Sequence, residues 1–305
     1  MSVLVFVENW DGKFKKLSFE LVSYASRLAE MLSCPAIAVS IGKVEDTELS
    51  KLASFGASRI VSIEGEQFNI LDNQIFTSAI AEVALKENAK VVVLSNNNTG
   101  KAIAPRIAVR LKAGLGAGVS RLPVSVDPFV VYKKVFSGNA FANITIKSEV
   151  KVLTLAQNSF ELIDKQLPAV IEKLTIQAVR SKITIKDTQK QTGKILLTDA
   201  DIVVSGGRGM KSPDNWVPLV ELAGILGAAT ACSRPVSDEG WRGHDEHTGQ
   251  TGKIIAPNLY FAIGISGATQ HLAGVSGSKF IVAINTDKEM NTSHSSNDGK
   301  IWCKV

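Results

Sequence analysis

Apolar residues along this chain alternate between two spacings. Val3-Leu-Val-Phe-Val7 is a continuous apolar run that reads as a buried strand, and Leu17, Leu21, Tyr24, Leu28 and Leu32 then recur every three or four positions, as on one face of a helix. The alternation repeats. Ala36–Val39 is strand-like, 45–55 is helical up to Gly56, and Arg59–Ile63 is a strand. Gln74–Lys86 is a helix, Lys90–Leu94 a strand, and Ile103–Leu111 a helix ending at Gly114. Repeated βα units predict a parallel sheet with helices on both faces. After Pro123 the period shortens to two. Phe129–Tyr132, Ala140–Ile146 and Val150–Leu155 therefore predict antiparallel strands, with Ser137-Gly-Asn139 as a hairpin turn.

From about 157 to 193 the apolar residues are scattered among Lys, Gln, Thr and Asp, as expected of a domain connection, although Leu174–Val179 alternates like a strand. The βα pattern then resumes. Ala200–Val204 runs into Ser205-Gly-Gly-Arg-Gly209, the helix Trp216–Leu226 stops at Gly227, and a short strand delivers Ser233-Arg234. Leu259–Ile263 breaks at Gly264-Ile-Ser-Gly267 into a helix starting near Ala268, and Phe280–Ile284 ends in Asn285-Thr-Asp287. A strand, a glycine turn and a helix start aim backbone N–H groups at one point, where an anion can sit. The same turn also serves plain α/β scaffolds. What adds weight is that three strand ends, at Arg208, Arg234 and Ser266, fall where a doubly wound sheet gathers a dinucleotide.

At 305 residues, 45% hydrophobic and 21% charged, the chain suits two domains that each bury a core. No apolar run approaches the length of a membrane span, and the start lacks the marks of a signal sequence, so membrane insertion is not expected and a bacterial cytoplasmic location is. Cys34, Cys232 and Cys303 show no paired spacing, which suggests neither disulfides nor zinc. The net charge of +5 is mild; the basic stretch 182–194 lacks aromatics and reads as a solvated connector, so nucleic acid is not an expected partner. His244-Asp-Glu-His247 has no metal-ligand spacing and reads as a polar loop. Asn96-Asn-Asn-Thr-Gly100 reads as turn chemistry with a helix cap. Hydrolytic and phosphoryl-transfer constellations are missing from the sequence.

Gly249-Gln-Thr-Gly252, Ser266-Gly-Ala-Thr-Gln-His271 and Ala283-Ile-Asn285 occur in this order, with Ser205-Gly-Gly-Arg-Gly209 and Ala231-Cys-Ser-Arg234 upstream. Together they resemble the alpha subunit of electron-transfer flavoproteins, strongly over about 196–287 and more loosely before. That resemblance implies an α/β chain. Residues 1–190 would form a partner-contacting, doubly wound, mostly parallel sheet with a small antiparallel part and the linker; 191–305 would form a Rossmann-like, doubly wound FAD-binding domain. It implies FAD as cofactor and an electron carrier without substrate chemistry of its own, in a heterodimer with a beta subunit carrying AMP. Acyl-CoA or other dehydrogenases would be donors and a membrane quinone oxidoreductase the acceptor. Fatty acid beta-oxidation is the setting this suggests.

The resemblance also assigns residues. Arg208, Ser233 and Arg234 match flavin-contacting positions, Arg234 lying against the ring, where its charge would favour an anionic reduced flavin. Thr248, Gly249, Gln250 and Thr251 match contacts along the flavin, with the Thr251 hydroxyl near its redox-active nitrogen. Ser266, Gly267, Ala268, Thr269 and Gln270 would wrap the phosphates and ribityl chain, Asn285 the adenosine side, and His271 the pyrimidine edge, as a charge or as a donor. Two other readings stay open: a stand-alone flavin- or nucleotide-dependent oxidoreductase, and the alpha subunit of a bifurcating flavoprotein. A redox-silent ligand sensor is a further class.

The end of the chain departs from this pattern. Relatives continue with a segment that crosses the adenosine side and a final helix, whereas residues 288–305 here are a polar, Ser/Asn-rich run. Little order is expected beyond about Glu289, and a weaker hold on FAD, because such a composition buries little apolar surface.

Overall fold

The structure is a computed structural model that describes residues 1–138, 140–176, 181, 183–187, 195–287 and 300–304, with the backbone alone at 137 and 300–304. It separates into two compact units: Met1–Val135 with Phe141–Thr188, and Phe136–Ala140 with Gln189–Val305.

Up to residue 174 the chain forms β1 (Ser2–Val7), the ribbon β2 (Asn9–Trp10) and β3 (Lys13–Phe14), α1 (Lys16–Met31), β4 (Ala36–Ile41), α2 (Asp46–Ser54) and β5 (Arg59–Ile63). There follow α3 (Asn73–Lys86), β6 (Ala89–Ser95), α4 (Asn98–Arg110), β7 (Gly114–Val119), β8 (Ser125–Val126), β9 (Phe129–Val135), β10 (Ala140–Thr145), β11 (Lys151–Leu155) and β12 (Ile171–Leu174). The strand order is β10-β9-β7-β11-β6-β1-β4-β5-β12, with β8 on β9. Successive side chains of β1 serve opposite faces. Val3, Val5 and Val7 pack under α1 and α2 with Leu21, Leu28 and Leu52, while Leu4 and Phe6 pack under α3 and α4 with Phe76, Ile80 and Ile107. This is the doubly wound, mostly parallel sheet that the repeated βα pattern predicts.

Three local expectations fail here. Val150–Leu155 is not antiparallel: β11 lies between β6 and β7, parallel to both, and is buried on both faces. Antiparallel pairing is found between β7 and β9, between β8 and β9, and within the β2–β3 ribbon. Gly114 does not close a helix but opens β7, whose glycines are packing requirements. A Cβ on Gly114 would stand 2.5 Å from Ile146 Cγ2, and one on Gly116 would stand 2.9 Å from Leu153 Cδ2. Finally, α4 begins at Asn98 rather than Ile103, because Asn97 caps it by accepting from the Gly100 N–H at 2.8 Å. Strand β12 is 171–174, so of the expected strand 174–179 only Leu174 is strand among the described residues 174–176; 177–179 lie outside the described residues.

The second unit contains β13 (Ile202–Gly206), α5 (Val217–Leu226), β14 (Ala229–Cys232), α6 (Arg234–Asp238), β15 (Leu259–Ile263), α7 (Thr269–Val275), β16 (Phe280–Asn285) and β17 (Lys300–Lys304). All five strands are parallel, in the order β14-β13-β15-β16-β17. The order reverses between β13 and β15, which places a crevice at their carboxyl ends. Gly227 ends α5 in the left-handed conformation, φ +59°, as glycine allows. Leu219 and Ala223 are its buried residues; Val217, Val220 and Ile225 are exposed. The expectation of little order beyond Glu289 fails for Lys300–Lys304, which extend the sheet beside β16 from Ile281 to Asn285. Residues 288–299 lie outside the described residues.

Candidate functional site

Two strand-end turns meet backbone to backbone at the β13–β15 crevice. Beyond β13, the Gly207 N–H donates to Ile263 O and the Gly209 N–H to Gly264 O, both at 2.9 Å. Glycine is required for this approach. A Cβ on Gly207 would stand 2.2 Å from Gly264 O, and Gly264 itself has φ +63°. On the other side of β13, the Ser233 N–H donates to Gly206 O at 3.1 Å, and the Thr248 N–H to Cys232 O at 3.0 Å, laying the 247–252 loop beside β14. The loop is tied to α7 as well: the Gln250 N–H donates to Gln270 O at 2.7 Å, and a Cβ on Gly274 would stand 2.4 Å from Gly249 Cα. Asn285 Nδ2 donates to Ile265 O at 3.1 Å.

These segments enclose a cavity of about 580 Å³. From the first turn come Arg208 and Gly209; from the β14 end Ser233, Arg234 and Pro235; from the loop His247 to Thr251. Gly264, Ile265, Ser266, Ala268, Gln270, His271, Asn285 and Asp287 complete the lining. The three strand ends thus converge as expected. Gly267 and Thr269 do not line the cavity. Gly267, with φ +75°, serves the turn into α7, and Thr269 is exposed. Of the lining residues, His247 and Pro235 lie outside the segments that the sequence points to, whereas Gly209, Gly264, Ile265 and Asp287 fall within those segments but are not among the named contacts. The charged neighbours of His247 predict a polar loop, but its bridge to Cys232 places it against β14, where it is buried.

The electrostatics of the lining are uneven. Arg208 and Arg234 leave 71% and 63% of their side chains exposed, with Glu239 at 4.0 Å and Asp238 at 3.3 Å as their respective ion-pair partners. Both guanidinia are available to an anionic or electron-rich ligand. His271 is buried, and burial pushes its pKa down to about 4, so the ring is uncharged at neutral pH. Without a ligand, His271 therefore meets the cavity as a hydrogen-bonding group rather than as a charge. Nε2 lies 2.9 Å from the Tyr260 hydroxyl, whereas Nδ1 is buried without a hydrogen-bond partner. An orphaned buried nitrogen on a cavity wall fits a ligand that brings its own polar edge. His247 is also held below the ordinary histidine range, first by burial and then by Arg234. Among the described residues no cluster of three or more His, Cys, Asp or Glu could hold a metal ion, and no helix is long and apolar enough to cross a membrane.

Residues 3–179 match the family described as electron transfer flavoprotein domain, and residues 196–276 match the electron transfer flavoprotein FAD-binding domain. The chain is 34% identical over 288 residues to the electron transfer flavoprotein subunit alpha of Syntrophomonas wolfei, covering 93% of this chain and 90% of the relative. It is 32% identical over 290 residues to the subunit of the same name from Bacillus subtilis, covering 94% and 89%. Protein FixB of Azorhizobium caulinodans is 32% identical over 297 residues, covering 94% and 80%.

Proposed function

The chain belongs to the electron transfer flavoproteins, as an alpha subunit with an FAD-binding second domain, and from that premise we propose that the β13–β15 cavity is its FAD site. One observation carries the reading: three strand ends deliver two exposed guanidinia and a buried, unpartnered imidazole nitrogen to one cavity. Arg234 and Arg208 would stabilise negative charge. His271 would donate from Nδ1, and Thr248 to Thr251 would run along the ring. The turn Ser266–Ala268, with Gln270, would take the phosphates and ribityl chain, and Asn285 the adenosine side. Gly267 and Thr269 would support that turn rather than touch the ligand. When bound, FAD supplies one- and two-electron redox chemistry; the protein's part is to bind it, orient it and tune its potential.

We read the chain as a carrier rather than an oxidoreductase with a substrate of its own. His271 supports this, because at neutral pH it carries no exchangeable charge and is committed to Tyr260. A beta subunit carrying AMP would complete the protein, with the first unit contacting it, acyl-CoA or other dehydrogenases as donors, and a membrane quinone oxidoreductase as acceptor. A cofactor count on the purified full-length chain is expected to give one FAD, and Arg234→Gln and His271→Gln to lower its affinity. Unchanged affinity in both variants would remove the cavity from the reading. Reduction of the FAD by an acyl-CoA dehydrogenase only when the beta subunit is present would support the carrier role; turnover by this chain alone would favour the oxidoreductase.

A further inference from the structure

Behind His271 stands a residue that does not line the cavity. Tyr260, on β15, is fully buried, with its hydroxyl 2.9 Å from His271 Nε2 and its ring centroid 6.1 Å from the imidazole. The hydroxyls of Ser205 and Thr248 stand beside the phenol oxygen. Thr248 directs its own hydrogen to Cys232 O at 3.2 Å, so the phenol hydrogen has two acceptors in reach, Thr248 Oγ1 and His271 Nε2, of which the imidazole nitrogen is the more basic. A phenol donates more strongly than it accepts, and a neutral imidazole has one nitrogen of each kind. If Nε2 accepts from Tyr260, the hydrogen must reside on Nδ1, the nitrogen left without a protein partner.

We propose that Tyr260 is a positioning residue that holds His271 as the uncharged, Nδ1-protonated tautomer, so that the cavity meets a fixed hydrogen-bond donor and not a positive charge. Burial supports both halves of the pair. It raises the Tyr260 ionisation, keeping the phenol hydrogen in place, and it disfavours a second proton on His271. Of its neighbours, the Thr248 backbone favours the protonated ring and His247 opposes it, and burial outweighs both.

The test is nitrogen-15 and carbon-13 spectroscopy of ring-labelled histidines in the full-length chain, which has four, with His271 assigned through His271→Gln. The wild-type protein at pH 7 is expected to show one tautomer at His271, protonated on Nδ1, without FAD and with it. An Nε2-protonated or doubly protonated ring would overturn the proposal. In Tyr260→Phe the single tautomer is expected to give way to a mixture; an unchanged tautomer would also overturn it. Should that variant fail to fold, the wild-type spectrum decides alone. FAD titration supplies a second readout. Tyr260→Phe is expected to weaken binding about tenfold with His271 present and not at all in the His271→Gln background. Equal losses in both would mean that the phenol acts through packing and would overturn the inference. The titration rests on the proposed FAD site; the tautomer, read without FAD, does not, so the two readings can fail separately.

Discussion

The two units share one architecture, a doubly wound parallel sheet with polar residues at its carboxyl edge, yet they use that edge differently. In the first unit, Glu8 follows β1, Ser95 ends β6, and Asn96 and Asn97 follow it, at the point where the strand order reverses. Their polar atoms bond to one another. Asn97 Nδ2 donates to Glu8 Oε1 at 2.7 Å, Ser95 Oγ sits between Glu8 Oε1 at 2.9 Å and Asn97 Oδ1 at 2.7 Å, and Thr154 Oγ1 donates to Asn96 Oδ1 at 2.8 Å. In the second unit, the corresponding edge keeps a cavity, two exposed guanidinia and a buried nitrogen without a partner. A strand-end position therefore does not make a site. What separates the Glu8–Asn97 cluster from the β13–β15 crevice is unsatisfied hydrogen-bonding capacity on a cavity wall; the first unit's buried hydroxyls without a partner, Ser40, Ser62 and Ser120, lie outside that cluster.

The largest expected effect comes from closing the second edge. Gly264→Val would force a branched residue into φ +63° with its Cβ 2.9 Å from the Gly209 carbonyl carbon. The left-handed conformation alone costs about 1–2 kcal/mol, and the overlap adds to it. FAD affinity is expected to fall more than about 100-fold, at about 1.4 kcal/mol per tenfold. Hydrogen exchange in β1 and β6 should not change. Slow exchange lost from those strands would mean that the two edges are not independent.

His271 offers the next effect, because the second edge buries a titratable group that has been denied its proton. Its pKa is about 4 in the folded chain against an ordinary 6.5. Between these values the unfolded chain binds the extra proton and the folded chain does not, so stability falls as pH falls. The full loss is about 3 kcal/mol, reached near pH 4 and absent well above 6.5. Urea midpoints of the FAD-free chain at pH 7.5 and 4.5 should show this loss in the wild type. In His271→Gln that part of the loss should be missing; equal slopes would show that His271 is not buried uncharged.

How far the sequence predicts the two edges follows from what periodicity encodes. Period and turn residues reveal β1, β4 to β6 and β13 to β16, because each of these strands is a compact apolar run and each helix has one apolar stripe; the short ribbon β2–β3 gives no such signal. They do not reveal direction. Val152, Leu153 and Leu155 would look the same in either orientation, and only the neighbours β6 and β7 make β11 parallel. Nor do they reveal β7, whose Gly-Leu-Gly-Ala-Gly-Val reads as a loop until Ile146 and Leu153 are seen to need the space. The site was legible through its segments, yet adjacency in the chain misled at two points. Thr269 stands between cavity residues but turns outward at the helix start, and His247 stands among charged residues but turns inward. The contrast between Asn97, satisfied by Glu8 and Gly100, and His271 Nδ1, without a hydrogen-bond partner among the described residues, exists only in three dimensions.

A smaller effect would sharpen the electrostatic side of the comparison. Arg234 is 63% exposed and shares its charge with Asp238, so solvent screens it. An exposed ionic contact contributes about 0.5–1 kcal/mol. With about 59 mV per tenfold for one electron, Arg234→Gln is expected to lower the potential of bound FAD by about 20–40 mV. The shift should shrink as salt is added. A salt-independent shift, or none, would place Arg234 away from the flavin ring.

The smallest effect on the cofactor is expected from the first edge, and its value lies in being confined to stability. Asn97→Ala removes the cap that holds the Gly100 N–H at the start of α4 and takes from Glu8 one of its donors. Loss of an asparagine cap costs about 1 kcal/mol, and Glu8, facing an exposed loop, can recover a water in place of the amide. The urea midpoint should fall accordingly, while FAD affinity stays within about twofold, well below the tenfold that 1.4 kcal/mol would give. The two outcomes separate the roles of the edge. A lower midpoint with unchanged FAD binding is what a cluster satisfied within itself requires, since nothing in it waits for a ligand. Weakened FAD binding with an unchanged midpoint would show that these asparagines are held for a ligand after all, and the distinction between the two edges would fall.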